Sequence, residues 1–251
     1  MPSKNDRNTE RGRFRIAEIE LRRLVHSVRV ASVREPVLSR RDFLRRASIW
    51  GLGLCGAAQV RAVDLILTPA MTQGPFYPDR LPLDSDNDLL IIGDGGAPAI
   101  GLVTHLSGRL LTLSGAPLQG AVVEIWQCDR NGVYIHSRSA NRANRDSRFQ
   151  GFGRCATNPQ GEYSFRTIKP VPYSGRAPHI HFAVHHGGKR VLTTQMLVKG
   201  HPMNERDGVF RAVRDPVQRA ALLVEFRPLA GSPSAALTAR FDLVLGLSPE
   251  V

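Results

Sequence analysis

Short apolar segments alternate with turn-forming clusters from residue 102 onward, and this rhythm constrains the fold more than any other feature of the chain. The strand candidates are 102–112, 121–128, 161–168, 179–186, 190–198 and 237–246. Between them stand Ser114-Gly115-Ala116-Pro117, Asp129-Arg130-Asn131-Gly132, Asn158-Pro159-Gln160-Gly161 and Gly187-Gly188. These residue types supply positive φ, a fixed φ or a side chain that bonds its own turn. Short strands at this spacing predict an all-β fold, an antiparallel β-sandwich. One short C-terminal helix is expected from Pro216 to Glu225, with Asp215 as its cap and Pro216 at the first helical position. Residues 63–101 are rich in Pro, Asp and Gly and predict an irregular arm wrapped around the core. The expected organisation is a leader over 1–62, the arm over 63–101 and the sandwich over 102–251.

The net charge of +12 looks like a nucleic-acid footprint until it is partitioned. Residues 1–62 carry 14 Lys/Arg against 6 Asp/Glu, and the rest carry 20 against 16. Basicity thus belongs mainly to the leader, and the sandwich has no charge run that would track phosphates. In the leader, Ser39-Arg40-Arg41-Asp42-Phe43-Leu44 reads as a twin-arginine export signal. The apolar run that follows, Ala47 to Val60, is too short for a permanent membrane helix, so no stable membrane anchor is expected. Cleavage after Ala62 would leave a periplasmic or secreted protein beginning near Val63. It would also leave Cys128 and Cys155 in an oxidising compartment. Two free, buried thiols are the expectation there, with a disulfide as the alternative.

Chemistry concentrates in Pro172-Tyr173-Ser174-Gly175-Arg176-Ala177-Pro178-His179-Ile180-His181-Phe182. Side chains two apart on a strand leave the same face, so His179 and His181 can share one metal ion. A phenolate from the preceding turn suits a hard, oxidised metal. Upstream, Ala121 to Tyr134 reads as a strand, a turn and an aromatic just past the turn. Gly151-Phe152-Gly153-Arg154-Cys155-Ala156-Thr157 and Gly161 to Pro170 follow it.

In this order these motifs resemble the intradiol ring-cleavage dioxygenases, non-haem iron(III) enzymes that open catechols between their two hydroxyls. The resemblance spans about Thr104 to Phe241, with an outlying match at Thr72-Gln73-Gly74-Pro75-Phe76-Tyr77. It implies Tyr134, Tyr173, His179 and His181 as the Fe(III) ligands, with Tyr173 the one that departs when substrate binds. It implies catalytic roles for Arg176 and Gln195, and a substrate pocket lined by Gly74, Pro75 and Tyr77. The implied partners are a small catechol and O2. His105, His136, His185, His186 and His201 read as ordinary polar residues, and segment 137–150 as an exposed loop. Better-known members carry a longer connection before the His pair; here only Ser174 to Pro178 remain, which predicts a more open mouth. A non-catalytic periplasmic β-sandwich binding a metal or an aromatic ligand is the alternative. An adhesion or carbohydrate-binding module accounts for neither tyrosine. Nothing in the sequence sets an oligomeric state.

Overall fold

A computed structural model describes residues 65–93 and 96–246. The leader, with its Arg40-Arg41 pair, lies outside the described residues.

Among the described residues, ten strands form two five-stranded sheets. The first contains β1 (Val103–Thr112), β4 (Glu162–Ile168), β8 (Phe226–Pro228), β9 (Leu237–Arg240) and β10 (Leu243–Leu245). The second runs in the order β3 (Phe152–Ala156), β2 (Val122–Trp126), β5 (His179–His186), β6 (Lys189–Val198) and β7 (Leu223–Val224). The sandwich is all-β as expected, but it is not purely antiparallel. β1 pairs in parallel with both β9 and β10, and β6 pairs in parallel with β7.

The segment expected as one strand over 237–246 is split. It runs beside β1 throughout, but the ladder breaks at Phe241-Asp242. There the Phe241 amide bonds the Ser107 carbonyl (2.9 Å), and the Asp242 carboxylate accepts from the Arg109 amide (2.8 Å). Strands β3, β7 and β8 are additional. The helix at Pro216 is shorter than expected: α2 (Pro216–Ala221) is capped by Asp215, whose carboxylate accepts from the Val217 amide (2.8 Å). A second short helix, α1 (Gly208–Arg211), precedes it. Among the described residues no helix is long and apolar enough to cross a membrane.

Alternation along the strands separates core from site. On β5, Ile180, Phe182 and Val184 join Val123 and Ile125 of β2 and Leu106 and Leu110 of β1 in the main core between the sheets. His179, His181 and Ala183 leave the opposite face. All six of these β5 side chains are nonetheless buried, because that outer face is covered too. The cover comes partly from the arm, whose Phe76 and Tyr77 pack against the outer cluster, while its earlier part is tied to β6. Its Met71 amide bonds the Thr193 carbonyl (2.8 Å) and its Pro69 carbonyl accepts from Thr194 Oγ1 (2.8 Å). Farther on, Leu89 and Leu90 plug into the core with no exposure. A one-residue slip of β5 would put both histidines into the hydrocarbon core and is excluded on that ground.

Candidate active site

The outer face of the β2–β5 pair carries a second cluster: Trp126, Cys128, Tyr134, Phe152 and Ala183, with Phe76, Tyr77 and Tyr173 packed against it. Three connections deliver its functional groups.

The first is the turn after β2. The buried Asp129 carboxylate accepts from the Asn131 amide (2.8 Å) and the Val133 amide (3.0 Å) through one oxygen, and from the Asp146 amide (2.6 Å) through the other. This local bonding shapes the loop that carries Tyr134. Ser139 fixes the Tyr134 amide at 2.9 Å. Segment 137–150 is therefore only partly the exposed loop expected: Ser139, Asp146, Phe149 and Gln150 are buried and brace the turn. His136 is buried as well, edge-on to Phe76 at 6.0 Å.

The second is the short connection before β5. The Arg176 amide bonds the Tyr173 carbonyl (2.8 Å), and residues 174 and 175 both have positive φ, 43° and 77°. That is a type I′ turn. It reverses the chain so tightly that Tyr173 and Arg176 flank the histidines from one side. Gly132 makes room for it, since a Cβ there would stand 3.2 Å from Cβ of Tyr173.

The third is the arm segment 72–77. Gly74 has φ 69°, and a Cβ there would crowd Cε1 of His181 at 3.3 Å, so glycine is favoured where this backbone roofs the histidine. Phe76 stacks on Tyr134, with centroids 5.1 Å apart. Tyr77 turns away from the histidines; its hydroxyl donates to Glu124 (3.0 Å) and its ring meets Trp126 edge-on at 5.0 Å. Pro75 is exposed at the rim.

The rings of the four expected ligands form a closed circuit, each beside two of the others. Centroid separations are 5.0 Å for Tyr134–Tyr173, 5.5 Å for Tyr173–His179, 4.8 Å for His179–His181 and 6.1 Å for Tyr134–His181. The two histidines are oriented differently. His179 is set by a hydrogen bond between Nδ1 and the Ala177 carbonyl (2.6 Å), which leaves Nε2 as the lone-pair nitrogen. His181 is set by stacking, lying nearly parallel to Trp126 at 4.7 Å and 8°. Their Nε2 atoms face each other at 3.2 Å. Two imidazoles sharing one cation at about 2.0–2.1 Å come to such a separation.

Electrostatics supports the same use. Burial, and then the Arg176 charge, lowers His179 to about 4. Burial takes His181 well below the ordinary imidazole range, with His179 next in weight. Both rings are therefore neutral at pH 7 and available as ligands. Burial drives Tyr134 well above the ordinary phenol range, with the neighbouring Cys128 and Tyr173 adding to it. Its hydroxyl has no hydrogen-bond partner among the described residues. A buried, unpartnered phenol oxygen beside two lone-pair nitrogens is an expensive arrangement unless a cation occupies their meeting point. Among the described residues no three His, Cys, Asp or Glu gather into a metal-binding group, so a metal here must draw on the tyrosines. The donor set fits a hard trivalent cation. Cys128, pushed up to about 12 by burial and then by Asp129, stays a neutral thiol beside it. Cys128 and Cys155 are both free, although only Cys128 is fully buried.

Arg176 and Gln195 are brought together on the histidine side. Arg176 Nη2 donates to the Gln195 side-chain carbonyl (2.7 Å), and the Gln195 amide donates to the Thr72 carbonyl (2.8 Å). Two participants escaped sequence reasoning. Trp126 lay inside a quoted motif, but its stacking on His181 depends on β2–β5 pairing, where the two are directly opposite. Asp207 lies beyond β6 and looks in sequence like any helix cap.

Comparison with known proteins agrees with this arrangement. The family described as Dioxygenase matches residues 72–246. The chain is 34% identical over 176 residues to the protocatechuate 3,4-dioxygenase beta chain of Burkholderia cepacia, covering 66% of this chain and 73% of that one. It is 28% identical over 233 residues to hydroxyquinol 1,2-dioxygenase of Nocardioides simplex, covering 82% and 74%. Among solved structures, the dioxygenase domain of a dioxygenase–carbohydrate-binding protein fusion from Streptomyces sp. SirexAA-E superposes with TM-score 0.55 at 29% identity, over 73% of this chain and 100% of that domain. With a family match across most of the sandwich and a His-x-His and two tyrosines at one buried point, the chain belongs to the intradiol ring-cleavage dioxygenases and is an oxidoreductase of that class.

Proposed function

We propose that the protein is an exported iron(III) enzyme that cleaves a catechol between its two hydroxyls, using both atoms of O2 and giving a muconate-type diacid. The observation that carries this is the meeting of Tyr134, Tyr173, His179 and His181 at one buried point whose two imidazole Nε2 atoms stand 3.2 Å apart. These four residues would hold the metal. Iron(III), when bound there, draws electron density from a catecholate and readies its ring for O2.

The chain's own groups do the rest. Tyr173, half-exposed at the start of its turn, accepts a proton from one catechol hydroxyl at its phenolate oxygen. Tyr134, enclosed beneath Phe76, stays in place. Arg176 sets a positive charge beside the ring, and Gln195 fixes its direction. Gly74 keeps the roof close to His181 and helps exclude water. Pro75 and Tyr77 differ in their fit to a substrate-lining role. Pro75 stands at the rim, whereas the Tyr77 hydroxyl is committed to Glu124 and shapes the pocket through Trp126.

The test is direct. Purified protein reconstituted with ferric iron should be burgundy from tyrosinate-to-iron charge transfer, and should take up O2 when supplied with a panel of catechols. A coloured, iron-replete protein inert to every catechol would favour the non-catalytic binder instead.

Export is tested separately. Arg40→Lys with Arg41→Lys should leave precursor in the cytoplasm, whereas the unaltered chain matures near Val63 outside it. Normal export of the double variant would refute a twin-arginine route.

A further inference from the structure

We propose that Asp207 is the positioning residue for Arg176, a role that rests on the dioxygenase function above. Its side chain has no exposure, and five hydrogen bonds from four donor groups converge on its two oxygens. Arg176 Nε donates to both, at 3.0 and 2.8 Å. The Ala177 amide donates to Oδ2 at 2.9 Å, and the Val209 and Phe210 amides to Oδ1 at 3.0 and 3.1 Å. One carboxylate thus caps α1 and also seats the residue that follows the active-site turn.

Arg176 needs such a seat. It follows a two-residue turn directly, and its long side chain would otherwise lose considerable rotamer freedom on being fixed. Asp207 holds Nε from one side and Gln195 holds Nη2 from another, so the guanidinium plane is fixed and Nη1 is left for substrate. The second cap in the region shows that capping alone does not demand this. Asp215 accepts from the Val217 and Gln218 amides at the start of α2, yet it is exposed and makes no contact with the site. Asp207 has the same local sequence role and a different tertiary one. Burial pushes its carboxyl up, but the Arg176 hydrogen bond and the Phe210 and Ala177 amides outweigh this and hold it below the usual range, so it is a fixed anion.

Asp207→Asn separates the two roles. Asparagine still caps a helix, but in either orientation its amide group sets N–H against N–H where the carboxylate presented only oxygen. Displacing a group by about 1 Å can cost about 10²-fold, so kcat per bound iron should fall about that far, with a smaller change in KM. In an Arg176→Lys background the same change should cost less than about 2-fold, because the group it positions is gone. Additive losses in the double variant would overturn the proposal and leave Asp207 as a cap only.

A second readout needs no turnover. In the iron-stripped full-length protein the Arg176 Nε–H, assigned by its loss in Arg176→Lys, should give a slowly exchanging NMR signal that disappears in Asp207→Asn. Exchange at the solvent rate in the unaltered protein would overturn the proposal, even if the enzyme proved to act on no catechol. If Asp207→Asn fails to fold, Asp207→Ser keeps a capping oxygen without the carboxylate and replaces it in the cycle.

Discussion

Tyr173→Phe should yield a protein that still binds ferric iron but takes up catechol about 10²- to 10⁴-fold more slowly, the usual cost of losing a positioned base. The physical difference between the two tyrosines motivates this. Tyr134 is 1% exposed, stacked under Phe76, and has its amide pinned by Ser139. Tyr173 is half-buried and stands at the start of a type I′ turn whose central residues, Ser174 and Gly175, are exposed. Burial raises Tyr173 as it does Tyr134, but the neighbouring Tyr134 hydroxyl, and then the Arg176 charge, pull the other way. We therefore propose Tyr173 as the phenol that leaves its seat and Tyr134 as the one that stays. Tyr134→Phe should accordingly lose iron and the visible band rather than slow down. The measurements are iron content and the stopped-flow rate of the substrate-induced spectral change in each variant. Wild-type catechol binding by Tyr173→Phe, or full colour and iron in Tyr134→Phe, would reverse the roles.

Trp126→Ala should be the most destabilising single change at the site. The indole has no exposure, lies flat on His181 and receives the edge of Tyr77. Emptying such a position costs about 3–5 kcal/mol. For a domain of this size that lowers Tm by roughly 6–20 °C. The loss should also fall on the proposed metal centre. The Nδ1 of His181 has no hydrogen-bond partner among the described residues, so stacking is what orients the ring. Removing an orienting contact typically weakens metal affinity about 10–100-fold. Trp126→Phe, which keeps a ring against His181, should recover most of both effects. Denaturant unfolding and iron titration of the three proteins measure this; a loss below about 1 kcal/mol in Trp126→Ala would show that the stack carries little.

The chain's periodicity was enough to read most of the sandwich. Turn clusters and apolar runs located β1, β2, β4, β5 and β6 closely, because the local chemistry that starts and stops a strand is written in adjacent residues. Strands β7 and β8 are two and three residues long and give no periodic signal. The break at Phe241-Asp242 depends on Ser107 and Arg109, more than 130 positions away in sequence. Parallel pairing of β9 and β10 with β1 is likewise a matter of which edges meet. That His179 and His181 share a face follows from a strand period of two, and the sequence alone determined it. What surrounds them did not follow. Trp126 meets His181 through strand register, and Gly74 arrives from an arm about a hundred residues upstream. Asp207 and Asp215 are both aspartates before a short helix, and no local signal separates them. Only the packing of α1 beneath the active-site turn makes the first a buried partner of Arg176 and leaves the second an exposed cap. Local bonding sets the elements and the faces their side chains take, whereas long-range contacts decide which of those side chains lose water together.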